Sequence, residues 1–220
     1  MTQSVSGELA QTYRQIEALM MLTKCLPLRH PLPPMRGASS VSPDLALLLY
    51  ELVHTHLPSL VVELGAGVST LVLGYALERV GRGRLIAFDH DAGHAQRTAA
   101  LVRRHRLERQ VQVVHAGLQE TRLAGEAWQW YGPEIEETLV GQRARLVFID
   151  GPPGSLQPLA RYPARRRLAP FLADDAVIVL DDVARPDEWA ITERWLRDDP
   201  RLTMQRIAHE KGTAILSRSR

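Results

Sequence analysis

Val61-Val62-Glu63-Leu64-Gly65-Ala66-Gly67-Val68-Ser69-Thr70 reads as a short apolar strand that carries an acidic residue near its end, breaks at two glycines and runs into a helix. Gly65 and Gly67 permit positive φ and let a ligand approach the backbone where a Cβ would collide. Ser69 or Thr70 can cap the helix, whose free N–H groups face the same crevice. Such a turn suits a nucleoside, and Glu63 decides which kind. A dinucleotide site uses Gly-x-Gly-x-x-Gly so that the helix start can meet a pyrophosphate. Here Thr70 holds the third glycine position and a carboxylate stands two residues before the first glycine. An anion repels a pyrophosphate and attracts an ammonium or sulfonium. Both features disfavour a nicotinamide-dependent oxidoreductase.

Outward from this turn the pattern alternates. Short runs rich in Val, Ile and Leu at about 60–64, 84–89, 111–115, 145–150 and 176–181 predict strands covered on both faces. Helical segments near 69–80, 91–106, 133–141, 157–171 and 186–198 separate them, the rhythm of a doubly wound parallel α/β sheet. Segments 202–208 and 213–217 bracket Glu210-Lys211-Gly212 as an antiparallel hairpin. Upstream, residues 7–26 have helical apolar spacing, a proline-rich connector spans Pro27 to Pro34, and Ser42-Pro43-Asp44 opens a helix to about Leu57. The expected organisation is therefore a helical extension over 1–58 and a sheet domain over 59–220.

Leu85-Ile86-Ala87-Phe88-Asp89 is a second strand with an acidic end, where folds of this type place a carboxylate for the ribose hydroxyls. Glu-x-Gly-x-Gly followed at this spacing by such an aspartate resembles the class I S-adenosylmethionine-dependent methyltransferases. The resemblance implies a Rossmann-like seven-stranded sheet in the order 3-2-1-4-5-7-6. It also implies that S-adenosylmethionine sits against Glu63, Gly65, Ala66, Gly67, Ser69, Thr70, Asp89 and His90, with Glu63 on the methionine ammonium and Asp89 on the ribose.

Phe148-Ile149-Asp150-Gly151-Pro152-Pro153-Gly154 and Val179-Leu180-Asp181-Asp182 end two further strands in carboxylates. Ligands of an open parallel sheet bind beyond the carboxyl ends of its strands, so these groups should converge on the rim that holds Glu63 and Asp89. Gathered carboxylates repel one another unless protonated or bridged by a cation, and hard oxygen ligands favour Mg²⁺, Mn²⁺ or Ca²⁺ over zinc. The bland alternative is that Asp150 caps its turn and that Asp181 or Asp182 caps the helix near Pro186. The pattern is similar to the metal-dependent O-methyltransferases of the catechol type and, more closely, to those that modify macrolide sugars. That likeness implies Asp150, Asp181 and Asp182 as ligands of a divalent cation, with Asp150 and Asp181 catalytic.

The chain departs from those relatives where they carry a lysine base, because Gly151-Pro152-Pro153-Gly154 fills the stretch and the only lysines are Lys24 and Lys211. The proton then goes to an aspartate beside the metal or to His90 or His94, while His54, His56, His105 and His115 read as structural. Where many relatives place an acidic residue for adenine, this chain has His115-Ala116-Gly117. Trp128-Gln129-Trp130-Tyr131 lines a substrate cleft, covers the adenine or only packs the linker, and Arg161-Tyr162-Pro163 is a weaker candidate for substrate contact.

Composition sets the bounds. A chain of 220 residues can bury a sizeable core. Its net charge of +2 argues against a nucleic-acid partner, and arginine runs at 103–106 and 165–167 read as solvated helix faces. The single cysteine, Cys25, fits a reducing, cytoplasmic setting, with no secretion signal and no apolar run long enough for a membrane. The expected enzyme is an O-methyltransferase for a sugar or another small hydroxylated metabolite. The alternatives are a metal-independent N- or O-methyltransferase and a catalytically silent binding partner. Helix 7–26 either pads the sheet or pairs across a homodimer.

Overall fold

The structure, a computed structural model, describes residues 2–37 and 40–219, with side chains from residue 7 onward. Helices α1 (Thr2–Cys25) and α2 (Pro43–His56) precede β1 (Leu60–Leu64). Then follow α3 (Val68–Val80), β2 (Arg84–Asp89), α4 (Ala92–Arg104) and β3 (Val111–His115). Next come β4 (Leu118–Leu123), β5 (Glu126–Tyr131), α5 (Glu134–Leu139), β6 (Ala144–Ile149), α6 (Pro163–Leu168) and β7 (Leu172–Asp181). The chain closes with α7 (Pro186–Asp198), β8 (Leu202–Ile207) and β9 (Thr213–Arg218).

The main sheet runs β3-β2-β1-β6-β7-β9-β8. Its first five strands are parallel, and β9 and β8 close it antiparallel. Counting only these seven strands in chain order, this is the expected 3-2-1-4-5-7-6. The remaining pair, β4 and β5, forms a separate antiparallel hairpin. In sequence that segment looks like a linker, because its polar residues between Leu118 and Ala127 hide the alternation that ends in Trp128, Trp130 and Tyr131.

The pleat explains why the strands read as continuous apolar runs. Val61, Leu85, Ala87, Leu146, Phe148, Val177 and Val179 face one core, shared with α2 and α3. Val62, Leu64, Ile86, Phe88, Val147, Ile149, Ile178 and Leu180 face the other, shared with α5, α7 and the β5 aromatics. Alternate residues point to opposite faces, so a sheet covered on both sides needs an apolar residue at every position. α1 packs on α2 through Ala18 and Leu22 and leaves Leu9, Tyr13, Ile16, Leu19, Met20 and Met21 exposed.

One helix is shorter than its sequence suggests. In place of 157–171, residues 157–162 form an irregular turn before α6, with Leu159 in the left-handed region at φ 56°. The Leu159 N–H donates to the Asp187 carboxylate at 3.3 Å, and Arg161 turns inward. A continued helix would carry Arg161 away from its buried acidic partners, so tertiary charge overrides local propensity here. The 165–167 arginines are likewise not simply solvated: Arg165 pairs with Asp199, Arg166 with Asp198 and Arg167 with Glu136.

Candidate functional site

The strand order reverses between β1 and β6, and loops leaving those neighbours in opposite directions open a crevice at the carboxyl edge. A cavity of about 660 Å³ lies there, its wall including Gly65, Ala66, Asp89, His90, Asp150 and Arg161. A second, of about 340 Å³, shares Gly65, Ala66, His94 and Asp150 and is closed by Pro33, Pro34 and Arg36. The proline-rich connector is thus part of the site wall, which its composition alone did not reveal.

The glycine turn is held by specific contacts. Gly65 has φ +92°, and a Cβ there would come within 3.1 Å of the Asp150 carbonyl carbon and the Gly151 nitrogen, so a side chain is excluded twice over. Gly67 is different. Its backbone is extended at φ 176° and a Cβ would meet nothing within 4 Å among the described residues, so its bareness leaves room on the cavity side. The Gly67 N–H donates to Thr70 Oγ1 at 2.9 Å, and Thr70 Oγ1 donates to Glu63 Oε2 at 2.6 Å. Thr70 therefore fixes the start of α3 from below and is fully buried, while Ser69 reaches the wall of the smaller cavity.

Glu63 does not face the crevice as expected; it lies fully buried beneath the turn. The reason is this hydroxyl relay, which draws the carboxylate under the helix start. Burial pushes its pKa up to about 8, against the pull of the Ser69 and Thr70 hydroxyls, and the nearby carboxylates of Asp150 and Asp89 add to the rise. Its Oε1 accepts no hydrogen bond among the described residues. A buried acceptor with nothing to accept, beneath two glycines that leave the cavity open, fits a cofactor that carries an ammonium.

Asp89 ends β2 with 3% exposure and lines the larger cavity. Its Oδ2 accepts from the Ala66 N–H at 3.1 Å and lies 2.8 Å from His94 Nδ1, while Oδ1 accepts from the Asp91 N–H at 2.9 Å. The carboxylate ties the first two strand ends together and retains a lone pair on Oδ1 for a ligand hydroxyl. His90 stands on the same wall, and Asp91 caps α4 through the His94 N–H. His105 is structural as expected, buried against the Tyr75 hydroxyl at 2.8 Å.

The second acidic constellation does converge. Asp150, Asp181 and Asp182 each place a carboxylate oxygen within 4.8 Å of the other two. Only Asp150 reaches the cavity wall, whereas Asp181 and Asp182 are 1% exposed. Burial and the like charges of Asp181 and Asp182 push the Asp150 pKa up to about 7 against the pull of Arg161 and Lys211. Asp182 takes a left-handed φ of 68°, a conformation aspartate tolerates, and its N–H donates to Asp181 Oδ1 at 2.7 Å.

The donor set alone suits a hard divalent cation, but its surroundings do not. Arg161 Nη2 lies 3.1 Å from Asp150 Oδ1 and 3.0 Å from Asp182 Oδ2. Lys211 Nζ lies 2.8 Å from Asp181 Oδ2 and 3.2 Å from Asp182 Oδ1, close enough for Coulomb attraction though off the hydrogen-bonding angle. Arg185 adds a third contact to Asp182 at 2.9 Å. The residues present already neutralise the oxygens a metal would need. Nothing in the sequence around Lys211 ties it to this site. The signal was the terminal hairpin: pairing of β9 with β7 puts Thr213 beside Asp181, and the turn before it must then pass the acidic strand end.

The aromatic segment is mostly packing, since Trp128, Trp130 and Tyr131 are buried in the core. Tyr131 also shapes the site. Its hydroxyl fills the space that a Cβ on Gly151 would occupy, and it has no hydrogen-bond partner among the described residues.

Comparison with known proteins agrees with this geometry. No curated protein matches the sequence. In fold the chain is similar to an S-adenosylhomocysteine-bound methyltransferase, PaMTH1, from Podospora anserina (TM-score 0.64, 11% identity, 94% of this chain and 88% of that one). It is similar to TomG, an O-methyltransferase of tomaymycin synthesis from Streptomyces achromogenes solved with S-adenosylmethionine (TM-score 0.65, 16% identity, 94% and 98%). A Bacillus cereus O-methyltransferase solved with S-adenosylhomocysteine gives 0.61 at 19% identity over 93% and 90%. The family described as methyltransferase domain matches residues 62–183, more than half of the chain and the whole span from Glu63 to Asp182. The chain therefore belongs to the methyltransferase-domain family, the class I S-adenosylmethionine-dependent enzymes that its strand-end motifs resemble.

Proposed function

We propose that the protein moves a methyl group from S-adenosylmethionine to a hydroxyl oxygen of a sugar or another small hydroxylated metabolite. The observation that carries this reading is the cavity at the strand reversal, whose wall joins the bare glycine turn, the Asp89 carboxylate and the Asp150 carboxyl. Its volume is that of a small-molecule site. Asp89 would hold the ribose, and the turn would admit the methionine backbone. Transfer needs oxygen, methyl carbon and sulfur in line, so positioning and removal of the hydroxyl proton dominate. Asp150, held near neutrality and touching the cavity, suits that proton, because a base works best when its pKa lies near the working pH. Asp181, enclosed and facing Lys211, holds the Asp182 backbone N–H and does not itself reach the acceptor.

A divalent cation on Asp150, Asp181 and Asp182, expected from the resemblance, draws support from their convergence. The metal-independent alternative is favoured by a specific observation, the pairing of those same oxygens with Arg161 and Lys211. No helix among the described residues is long and apolar enough to cross a membrane. Calorimetry with S-adenosylhomocysteine and with NAD, followed by methyl transfer from labelled S-adenosylmethionine to a panel of sugars, phenols and amines, tests the proposal. Binding of the homocysteine compound alone and label on a hydroxyl are expected. Tight NAD binding, or transfer only to nitrogen, would overturn it.

A further inference from the structure

We infer that the Arg161 guanidinium, assisted by Lys211, stands in the cation position of the acidic cluster, and that this chain transfers methyl groups without a divalent metal. The inference takes the methyltransferase assignment as given and concerns how the acceptor side of the site is held.

Arg161 is buried at 3% exposure, and its hydrogen-bond partners are two backbone carbonyls and two carboxylates. Nη2 donates to Asp150 Oδ1 and Asp182 Oδ2, Nη1 donates to the Asp181 carbonyl at 3.2 Å and Nε donates to the Pro152 carbonyl at 3.3 Å. Glu188 Oε1 lies 4.0 Å from Nε. The guanidinium thus touches both acidic strand ends and both loops that follow them, as a metal bridging β6 and β7 would. Four carboxylates (Asp150, Asp181, Asp182 and Glu188) meet three cations (Arg161, Arg185 and Lys211). A divalent ion added to this set would displace Arg161 or sit against its charge in a site of low dielectric. Guanidinium is also suited to burial, being weakly hydrated and always charged.

The step balances without a metal. The acceptor oxygen forms its bond to the methyl carbon as the carbon–sulfur bond breaks, the sulfonium becomes a neutral thioether, and the hydroxyl proton passes to a carboxylate of the site. Arg161 takes no part in the proton transfer; it is a positioning residue that fixes Asp150 at the cavity wall that both residues line.

Melting curves and Mn²⁺ electron paramagnetic resonance of the full-length protein test this, with MgCl₂ and MnCl₂ as probes and NaCl of equal ionic strength as the control. Wild type should melt at the same temperature in EDTA, Mg²⁺ and Mn²⁺, and equimolar protein should leave the free Mn²⁺ signal unchanged. Arg161→Met should melt lower, because removing one partner leaves buried carboxylates uncompensated, and Mn²⁺ should raise its melting temperature saturably. Leu49→Ala, a core variant of α2 that supplies no charge to the cluster, should melt lower with no response to Mn²⁺; this separates replacement of a cation from general loss of packing. Saturable stabilisation of wild type by Mg²⁺ or Mn²⁺, or loss of the free Mn²⁺ signal, would overturn the inference. So would a folded Arg161→Met protein indifferent to Mn²⁺. If Arg161→Met does not fold, the wild-type titrations still decide.

Discussion

Replacing Glu63 by Gln tests the energetic core of the site. The side chain is fully buried, its pKa is pushed up to about 8 from 4.5, and one of its oxygens has no hydrogen bond among the described residues. Glutamine keeps the shape and the carbonyl that accepts from Thr70, and removes the ionisation. Because the folded pKa lies above the unfolded one, the favourable contribution of the protonated form is complete below about pH 4.5 and is lost as pH rises through 8. A difference of that size corresponds to at most about 5 kcal/mol above pH 8, and relaxation around a buried charge brings the expected figure to roughly 2–3 kcal/mol. Urea unfolding of the cofactor-free protein should find Glu63→Gln close to wild type at pH 5 and more stable by that amount at pH 8. A cationic amine favours the ionised carboxylate, so S-adenosylhomocysteine should bind wild type with release of a proton. Calorimetry in buffers of different ionisation enthalpy reads that proton, and the variant should release none and bind about tenfold or more weakly. If the variant is no more stable than wild type at pH 8, burial does not hold Glu63 protonated and the account of the turn fails.

Two further outcomes follow from the geometry. Asp89→Asn should weaken S-adenosylhomocysteine by about tenfold or more, through lost charge-assisted hydrogen bonds, while far-ultraviolet dichroism stays native; unchanged affinity would mean that the second strand end does not hold the ribose. Gly65→Ala should lower stability by roughly 1–3 kcal/mol and impair cofactor binding together, since φ is +92° and the added methyl meets the backbone of Asp150 and Gly151. A melting temperature equal to wild type would show that the loop after β6 can step aside.

The sheet was legible in the sequence because its information is local and periodic. Runs such as Leu85 to Phe88 and Leu146 to Ile149 have no polar side, which only a strand covered on both faces requires. The glycine turn and the acids at 63, 89, 150, 181 and 182 were legible for a related reason: parallel strands bring their ends to one edge whatever loops join them. The β4–β5 hairpin was hidden, because half of its residues face solvent and carry no apolar signal. What charge surrounds each acid was settled only in three dimensions. Arg161 leaves its expected helix to enter the cluster, and Lys211 arrives from the far end of the chain across the β7–β9 pairing. Glu63 turns under its helix for the sake of one threonine hydroxyl. Strand position is written into the chain by hydrophobic period, whereas the partner of a buried charge depends on which distant segments fold beside it. Sequence therefore placed the carboxylates, and tertiary structure decided which are protonated, which are paired and which face the cavity.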